Sequence, residues 1–151
     1  MDLWRISNHR SLSGSAGLKY AARWHTAGHP IVYLAESPAG ALVEVLVHLE
    51  LSENELPPSY TLLRIAFAEE ISPVSLPVPP GNSWKADLAL TRRLGDAWLE
   101  ENQAALARVP SAILPATSNY LFNPLHPDAR KAKIVSAVKA RFDSRLLRNL
   151  G

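Results

Sequence analysis

The sequence predicts one α+β domain, on three observations. At 151 residues the chain suits a single domain, residues 1–151, able to bury roughly 68–70% of its unfolded surface. Short apolar runs rich in β-branched and aromatic residues alternate irregularly with two longer runs of helical period. No unit repeats, and a long proline-dense loop interrupts the order, which argues against a doubly wound sheet.

Trp4 to Leu18 predicts a short strand followed by a Ser/Gly-rich loop, SLSGSAG. Ile31–Ala35 reads as a buried strand between Pro30 and Ser37-Pro38. Ser37 is a good N-cap with Pro38 in the first helical position, and the helix runs to about Leu49, with Leu42, Leu46 and Leu49 sharing a stripe with Val43 and Val47. Tyr60–Phe67 is a second strand. The stretch from Ser72 to Gly81 holds four prolines and predicts an extended surface loop. Thr91 to Ala105 is helical, with Leu94, Trp98 and Leu99 inward. Ala107–Leu114 predicts a strand interrupted by Pro110, hence an edge or bulge. Val135–Phe142 is the last strand, with room for a short helix before it.

A 47% hydrophobic and 20% charged composition is that of a folded globular protein. Cysteine is absent, which excludes disulfides and thiolate metal sites and suits a reducing cytosol. The N-terminus lacks the apolar core of a signal peptide, and Glu36, Glu44 and His48 break the best membrane-helix candidate. A soluble, cytoplasmic protein with no membrane contact is expected. Seven basic groups against Asp143 leave +6 over residues 130–151, while nine cations and thirteen acids leave −4 over residues 1–129. Only Phe142 interleaves aromatically with that basic end, so a solvated face is favoured over direct nucleic-acid binding.

The common nucleotide and hydrolase signatures GxGxxG, GxxxxGK[ST] and GxSxG are missing. His25 and His29 stand four apart, but Gly28 and Pro30 disfavour the helix a metal pair would need, so no metal is expected and both read as turn or strand-edge residues. The chemistry concentrates in Arg23 to Glu50, RWHTAGHPIVYLAESPAGALVEVLVHLE. Arg23 offers a planar fork for phosphate or carboxylate. Tyr33 offers an aromatic platform within a strand. Glu44 places a carboxylate between Val43 and Val45, where an unpaired charge costs several kcal/mol and demands a partner or a purpose. These residue types suit a ligand that is anionic at one place, flat at another and cationic as it reacts. NAD has those properties.

A second block, VPSAILPATSNYLFNPLHPD, and the terminal FDSRLL complete a set of five words. Together with RW, the VYLAES run and LVEVLVHLE, they resemble the RES-domain family, bacterial toxins encoded with an Xre-type antitoxin. The likeness runs from Trp4 to Leu147. It implies a fold like that of ADP-ribosyltransferase toxins, with a mixed, split β-sheet flanked by helices, and a cleft that takes NAD as substrate, with no cofactor.

On that resemblance the family arginine falls on Arg23, the strand aromatic on Tyr33, the glutamate on Glu44 and the serine on Ser111. Arg23 would grip phosphates, Tyr33 would flank the nicotinamide or its ribose, and Ser111 would bond a ribose or the nicotinamide amide. Asn119, Asn123 and His126 would line the cleft, and Arg5 would help hold the pyrophosphate. Structural alternatives stand beside each role. Arg23 can form a surface ion pair or stack on Trp24, Tyr33 can be a core tyrosine with a satisfied hydroxyl, and Glu44 can pair with Arg23 or Arg5. Ser111 can make a local turn, and the asparagines can cap backbone.

NAD explains why so few ionisable groups suffice. Its nicotinamide leaves as a neutral molecule from a cationic pyridinium, so no general acid is required, unlike ordinary glycoside hydrolysis. The need that remains is to stabilise positive charge on the ribose, which one carboxylate, Glu44, can do. Water, phosphate or a protein side chain could be the acceptor. The resemblance implies depletion of cellular NAD. It also implies an Xre-type helix-turn-helix antitoxin, a homodimeric toxin within the complex, and DNA contact only through the antitoxin. The rival readings are a mono-ADP-ribosyltransferase acting on a specific protein and a non-catalytic module that binds its partner on DNA.

Overall fold

The computed structural model describes residues 1–48 and 57–147. In chain order the elements are β1 (Asp2–Ile6), β2 (Val32–Ala35), α1 (Pro38–His48), β3 (Tyr60–Phe67), β4 (Val74–Ser75), α2 (Leu88–Glu101), β5 (Leu106–Pro110), β6 (Ser118–Phe122) and β7 (Ala132–Ala140). Single 3-10 turns occur at Ser15–Leu18, Ser83–Ala86, Pro127–Lys131 and Ser144–Leu147. The strands form one mixed sheet of order β4-β5-β6-β2-β1-β3-β7, antiparallel except for β4 beside β5.

That sheet is split in the sense the resemblance implies. β1 and β2 pair only through Trp4 and Ala35, whereas the ladders on either side of them run for four residues or more. The two halves instead meet through side chains. Leu3, Leu63, Ile65 and Phe67 from β1 and β3 share a core with Val32, Leu34, Leu106 and Phe122 from β2, β5 and β6. The Phe67 and Phe122 rings cross edge to face at 5.7 Å. Strand alternation sends the opposite face of the β5-β6-β2 half into a second core, where Ala107, Val109 and Leu121 meet Trp24, Trp84, Trp98 and Leu99. The second core carries the candidate site.

Local chemistry explains the elements that match expectation. Ser37 Oγ accepts from the Gly40 amide at 3.0 Å, capping α1 with Pro38 at its first position. The helix packs on β1 and β2, and its fully buried residues are Gly40 and Ala41. Glu44 lies one turn beyond Gly40 on the same stripe. Thus the small-residue stripe faces the sheet, while Leu42, Val43 and Leu46 are only partly buried and Val47 is exposed. Leu49, expected as the helix end, lies outside the described residues.

Three expectations need correction. The second helix begins at Leu88, not Thr91, because the Asp87 carboxylate accepts from the Leu90 amide at 3.0 Å. It stops at Glu101 because Asn102 turns left-handed, at φ 53°, so Ala105 is a core residue leading into β5. Pro110 ends β5 without interrupting or bulging it, and β5 lies inside the sheet between β4 and β6. The word SNYLF is a strand, β6, at the middle of its half-sheet. The irregularity lies instead in the β3–β7 ladder, where the register shifts between Arg64 and Ile65.

Candidate active site

The end of the β5–β6 hairpin and the first turns of α1 converge beside the sheet join. Asn119 pairs with Ala35 on one side and Val109 on the other, and Pro110 pairs with Ser118, so Ser111 lies immediately past the last rung. Glu44 reaches into this corner. Its Oε1 accepts from Asn119 Nδ2 at 2.8 Å and from Ser111 Oγ at 3.4 Å. The Ser111 hydroxyl is itself fixed, because it accepts from the amides of Ile113 and Leu114 at 3.1 Å each. Ser111 therefore makes the local turn considered for it and also touches Glu44. Glu44 Oε2 faces His48 Nε2 at 3.9 Å, a residue one turn along the helix that sequence reasoning passed over. No Lys or Arg pairs with Glu44 among the described residues, and its side chain is 29% exposed. The carboxylate is held by two neutral donors and open to a cation.

Arg23 and Tyr33 form a neighbouring group on the same face. Tyr33 pairs with Leu121 and Ala35 with Asn119, which makes Tyr33 a diagonal neighbour of Asn119, about 7–8 Å away. The Tyr33 hydroxyl is satisfied internally. It accepts from the Trp24 amide at 3.1 Å and lies 2.7 Å from His25 Nδ1. The direction of the Tyr33–His25 bond follows the imidazole tautomer, and in either direction the hydroxyl is occupied. Burial pushes the Tyr33 phenol up and out of reach of ionisation. Only the ring of Tyr33 is therefore free to meet a ligand. Arg23 donates through one guanidinium nitrogen to the Lys85 carbonyl at 2.9 Å, which leaves most of its five N–H donors for an anion.

His25 closes the turn from Ala22 as a bridge residue, in keeping with the turn or strand-edge reading, and its side chain is buried as well. It is 2% exposed, and burial holds its imidazole below the ordinary value of 6.5 against the opposing carbonyls of Tyr20 and Gly17 and the charge of Asp96. The unfolded chain thus takes up a proton that the folded chain refuses. Stability from this group is complete above about pH 6.5 and falls as the pH drops below it. Thermal melts from pH 8 to 5.5 should show a smaller loss for His25→Asn, which cannot titrate, than for the parent. Equal losses would remove His25 as the source.

The remaining candidates lie elsewhere. Arg5 donates to the Ser11 carbonyl at 3.3 Å and contacts none of Arg23, Glu44 or Ser111 among the described residues. Burial lowers its pKa from the ordinary guanidinium value. Asn123 lies four residues from Asn119, about 13 Å along β6. There it bonds Asn102 Oδ1 at 2.8 Å and accepts from the Leu125 amide. His126 Nδ1 accepts from the Asp128 amide and caps the 3-10 turn before β7. The structure brings Glu44, Ser111 and Asn119 together with Tyr33 and Arg23 nearby, and places Arg5, Asn123 and His126 apart from them.

A groove of about 800 Å³ opens beside Ser111, between the proline-rich segment with Trp84 and Lys85 and the turn from Pro110 to Ser118. Trp84 tilts against Trp24 at 5.8 Å, so the groove wall and the Arg23 segment share one packed unit. A second depression on α2 has none of the candidate residues in its lining. No helix among the described residues is long and apolar enough to cross a membrane.

Known proteins resemble this chain along nearly its whole length. Residues 2–143 match the RES domain family. Toxin Res of Pseudomonas putida is 52% identical over 135 residues, covering 89% of this chain and 92% of that protein. The Prs ADP-ribosylating toxin of Sphingobium sp. is 34% identical, with 97% of each chain covered. Among solved structures, a chain of the M. tuberculosis MbcT-MbcA toxin-antitoxin complex superposes with a TM-score of 0.72 at 17% identity, over 97% of this chain and 86% of that one.

Proposed function

Since the chain belongs to the RES-domain toxin family, we propose that it is a toxin that cleaves the N-glycosidic bond of NAD, releases nicotinamide and depletes the cell of NAD. The observation that carries this reading is the Glu44 carboxylate, oriented by Asn119 and Ser111 and paired with no Lys or Arg among the described residues. In the reaction the bond from ribose C1′ to the nicotinamide nitrogen breaks, and its electron pair leaves with neutral nicotinamide. Positive charge develops on the ribosyl group. A fixed carboxylate at that point stabilises it without reorganisation. The Tyr33 ring flanks the nicotinamide end, and the free N–H groups of Arg23 bind phosphate oxygens. Ser111 acts through Glu44. Arg5, Asn123 and His126 take no part in this step.

A second reading has a specific support: the Sphingobium relative is named an ADP-ribosylating toxin. Under it the first half of the reaction is unchanged, and a protein side chain replaces water or phosphate as acceptor. The partner we propose is an Xre-type helix-turn-helix antitoxin that blocks the cleft of a homodimeric toxin in the cytoplasm and supplies any DNA contact. Mass spectrometry of purified protein with NAD decides among the acceptors. Nicotinamide with free ADP-ribose or its phosphate supports the NAD-depleting reading. ADP-ribose retained on protein supports the second, and intact NAD in cell extract as well as buffer refutes both.

The binding role of Arg23 makes its own prediction. Arg23→Lys keeps the charge but loses the planar fork, so kcat/KM for NAD should fall by about tenfold, chiefly through KM. Steady-state kinetics with both constants unchanged would take Arg23 out of the site.

A further inference from the structure

The segment that bears Arg23 has little structure of its own. Between residues 20 and 30 its backbone is held locally by one isolated bridge, Ala22 with His25. The Trp24 amide goes to Tyr33 and the Gly28 amide to the Gly17 carbonyl, and four further polar groups turn to α2. The Ala22 carbonyl accepts from Arg92 Nε at 2.8 Å, and the Arg23 carbonyl accepts from Thr91 Oγ1 at 2.6 Å. The Thr26 amide and hydroxyl donate to the two oxygens of Asp96 at 2.9 and 2.7 Å. Between these contacts Gly95 lies against the Trp24 carbonyl. Beyond the carbonyl, the Arg23 guanidinium is held by the Lys85 carbonyl, in the 3-10 turn that leads into the same helix.

Thr91 stands out in this set. It is fully buried, yet a threonine hydroxyl inside a helix ordinarily bonds its own preceding turn. Here the carbonyls of Leu88 and Asp87 are at 3.3 and 3.5 Å, and the shortest contact by far is to Arg23 across 68 residues of sequence. From this geometry we infer that Thr91 is a positioning residue for Arg23, with Asp96 holding the far side of the same segment, so that α2 sets the phosphate-binding geometry of the site. The inference rests on the NAD reading of Arg23 and deepens it.

Thr91→Val removes the hydroxyl at nearly constant volume. It should raise KM for NAD about tenfold and leave kcat within about twofold, because a displaced anchor loses binding common to ground and transition states. Thr91→Ser, which restores the donor, should return KM to within about twofold of the parent. In an Arg23→Ala background Thr91→Val should have no further effect on KM, since the two act as one unit. An equal further rise there, or an unchanged KM in Thr91→Val alone, overturns the inference. Should Thr91→Val fail to fold, Asp96→Asn undergoes the same cycle with the same expected outcomes. A readout free of turnover separates this from the NAD reading: exchange of the Arg23 Nη1–H that donates to the Lys85 carbonyl, followed by NMR, should be slow in the parent and faster in Thr91→Val. If Arg23→Ala leaves KM unchanged the NAD reading of Arg23 fails. Slow exchange lost in Thr91→Val would still support the clamp, and equal exchange in both proteins would overturn it.

Discussion

Glu44→Gln is expected to lower NAD cleavage by about 10²–10³-fold while leaving the fold intact. The amide is the same size as the carboxylate and still offers an oxygen to Asn119 Nδ2 and Ser111 Oγ, so the corner of α1 and the β5–β6 hairpin keeps its geometry. The negative charge alone is lost. A preorganised group that meets charge developing in the transition state contributes roughly 3–4 kcal/mol, which is the magnitude of the loss. In cells lacking antitoxin the variant should permit growth and normal NAD levels. The decisive comparison is turnover per folded molecule, with circular dichroism and melting temperature as controls. A folded Glu44→Gln protein that consumes NAD at the parental rate would end the assignment of Glu44.

The second large effect is on stability. Gly95 lies in the middle of α2, where glycine costs about 1 kcal/mol relative to alanine, so its presence there needs a reason. The reason is contact. A Cβ built at position 95 would overlap the Trp24 carbonyl, a backbone atom that cannot swing aside, and would also crowd the Trp24 side chain at 3.3 Å. Gly95→Val must therefore push α2 off the Trp24 segment, opening the core that Trp24, Trp84, Trp98 and Leu99 share. Overpacking usually costs about 1–3 kcal/mol. Against main chain, and with a β-branched side chain, the expected loss is about 4 kcal/mol or more, enough to abolish soluble expression or lower the melting temperature by roughly 15 °C. A variant that melts within a few degrees of the parent would show that the helix–loop approach is looser than described. Thermal unfolding, by fluorescence of the buried tryptophans, measures it.

Much of the site was legible because its main words are local. The RW pair, the strand at Val32–Ala35, the Ser37 cap and the Glu44 helix follow within a few dozen residues, and each has a propensity or capping reason that does not depend on the rest of the chain. Tyr60–Phe67 was legible for the same reason. The parts that were not legible depend on partners distant in sequence. SNYLF looks like turn punctuation because asparagines and a proline surround it, and only pairing with both β2 and β5 makes it a strand. That same strand separates Asn119 from Asn123 and His126, which the word NYLFNPLHPD presents as one group. The α1 stripe misled in a different way. Hydrophobic period points to Leu42, Leu46 and Leu49, but close approach to the sheet selects the smallest residues, Gly40 and Ala41, and so aims Glu44 inward. Nothing local announces that Tyr33 spends its hydroxyl on Trp24 and His25, or that α2 holds the Arg23 segment.

The clamp on that segment has an evolutionary consequence, because its grip is largely on the main chain. Ala22, Arg23, Trp24 and Lys85 present carbonyls to it, and every amino acid has a carbonyl. Side-chain identity at 22 and 85 is therefore nearly invisible to the clamp, and drift there can proceed under little selection. The opposite holds on the helix, where Thr91, Gly95 and Asp96 act through their own chemistry or its absence. Substitutions far from any ligand on α2 should thus be purged more strictly than substitutions at loop positions closer to it, and a map of mutational tolerance would trace the outline of the helix before that of the site.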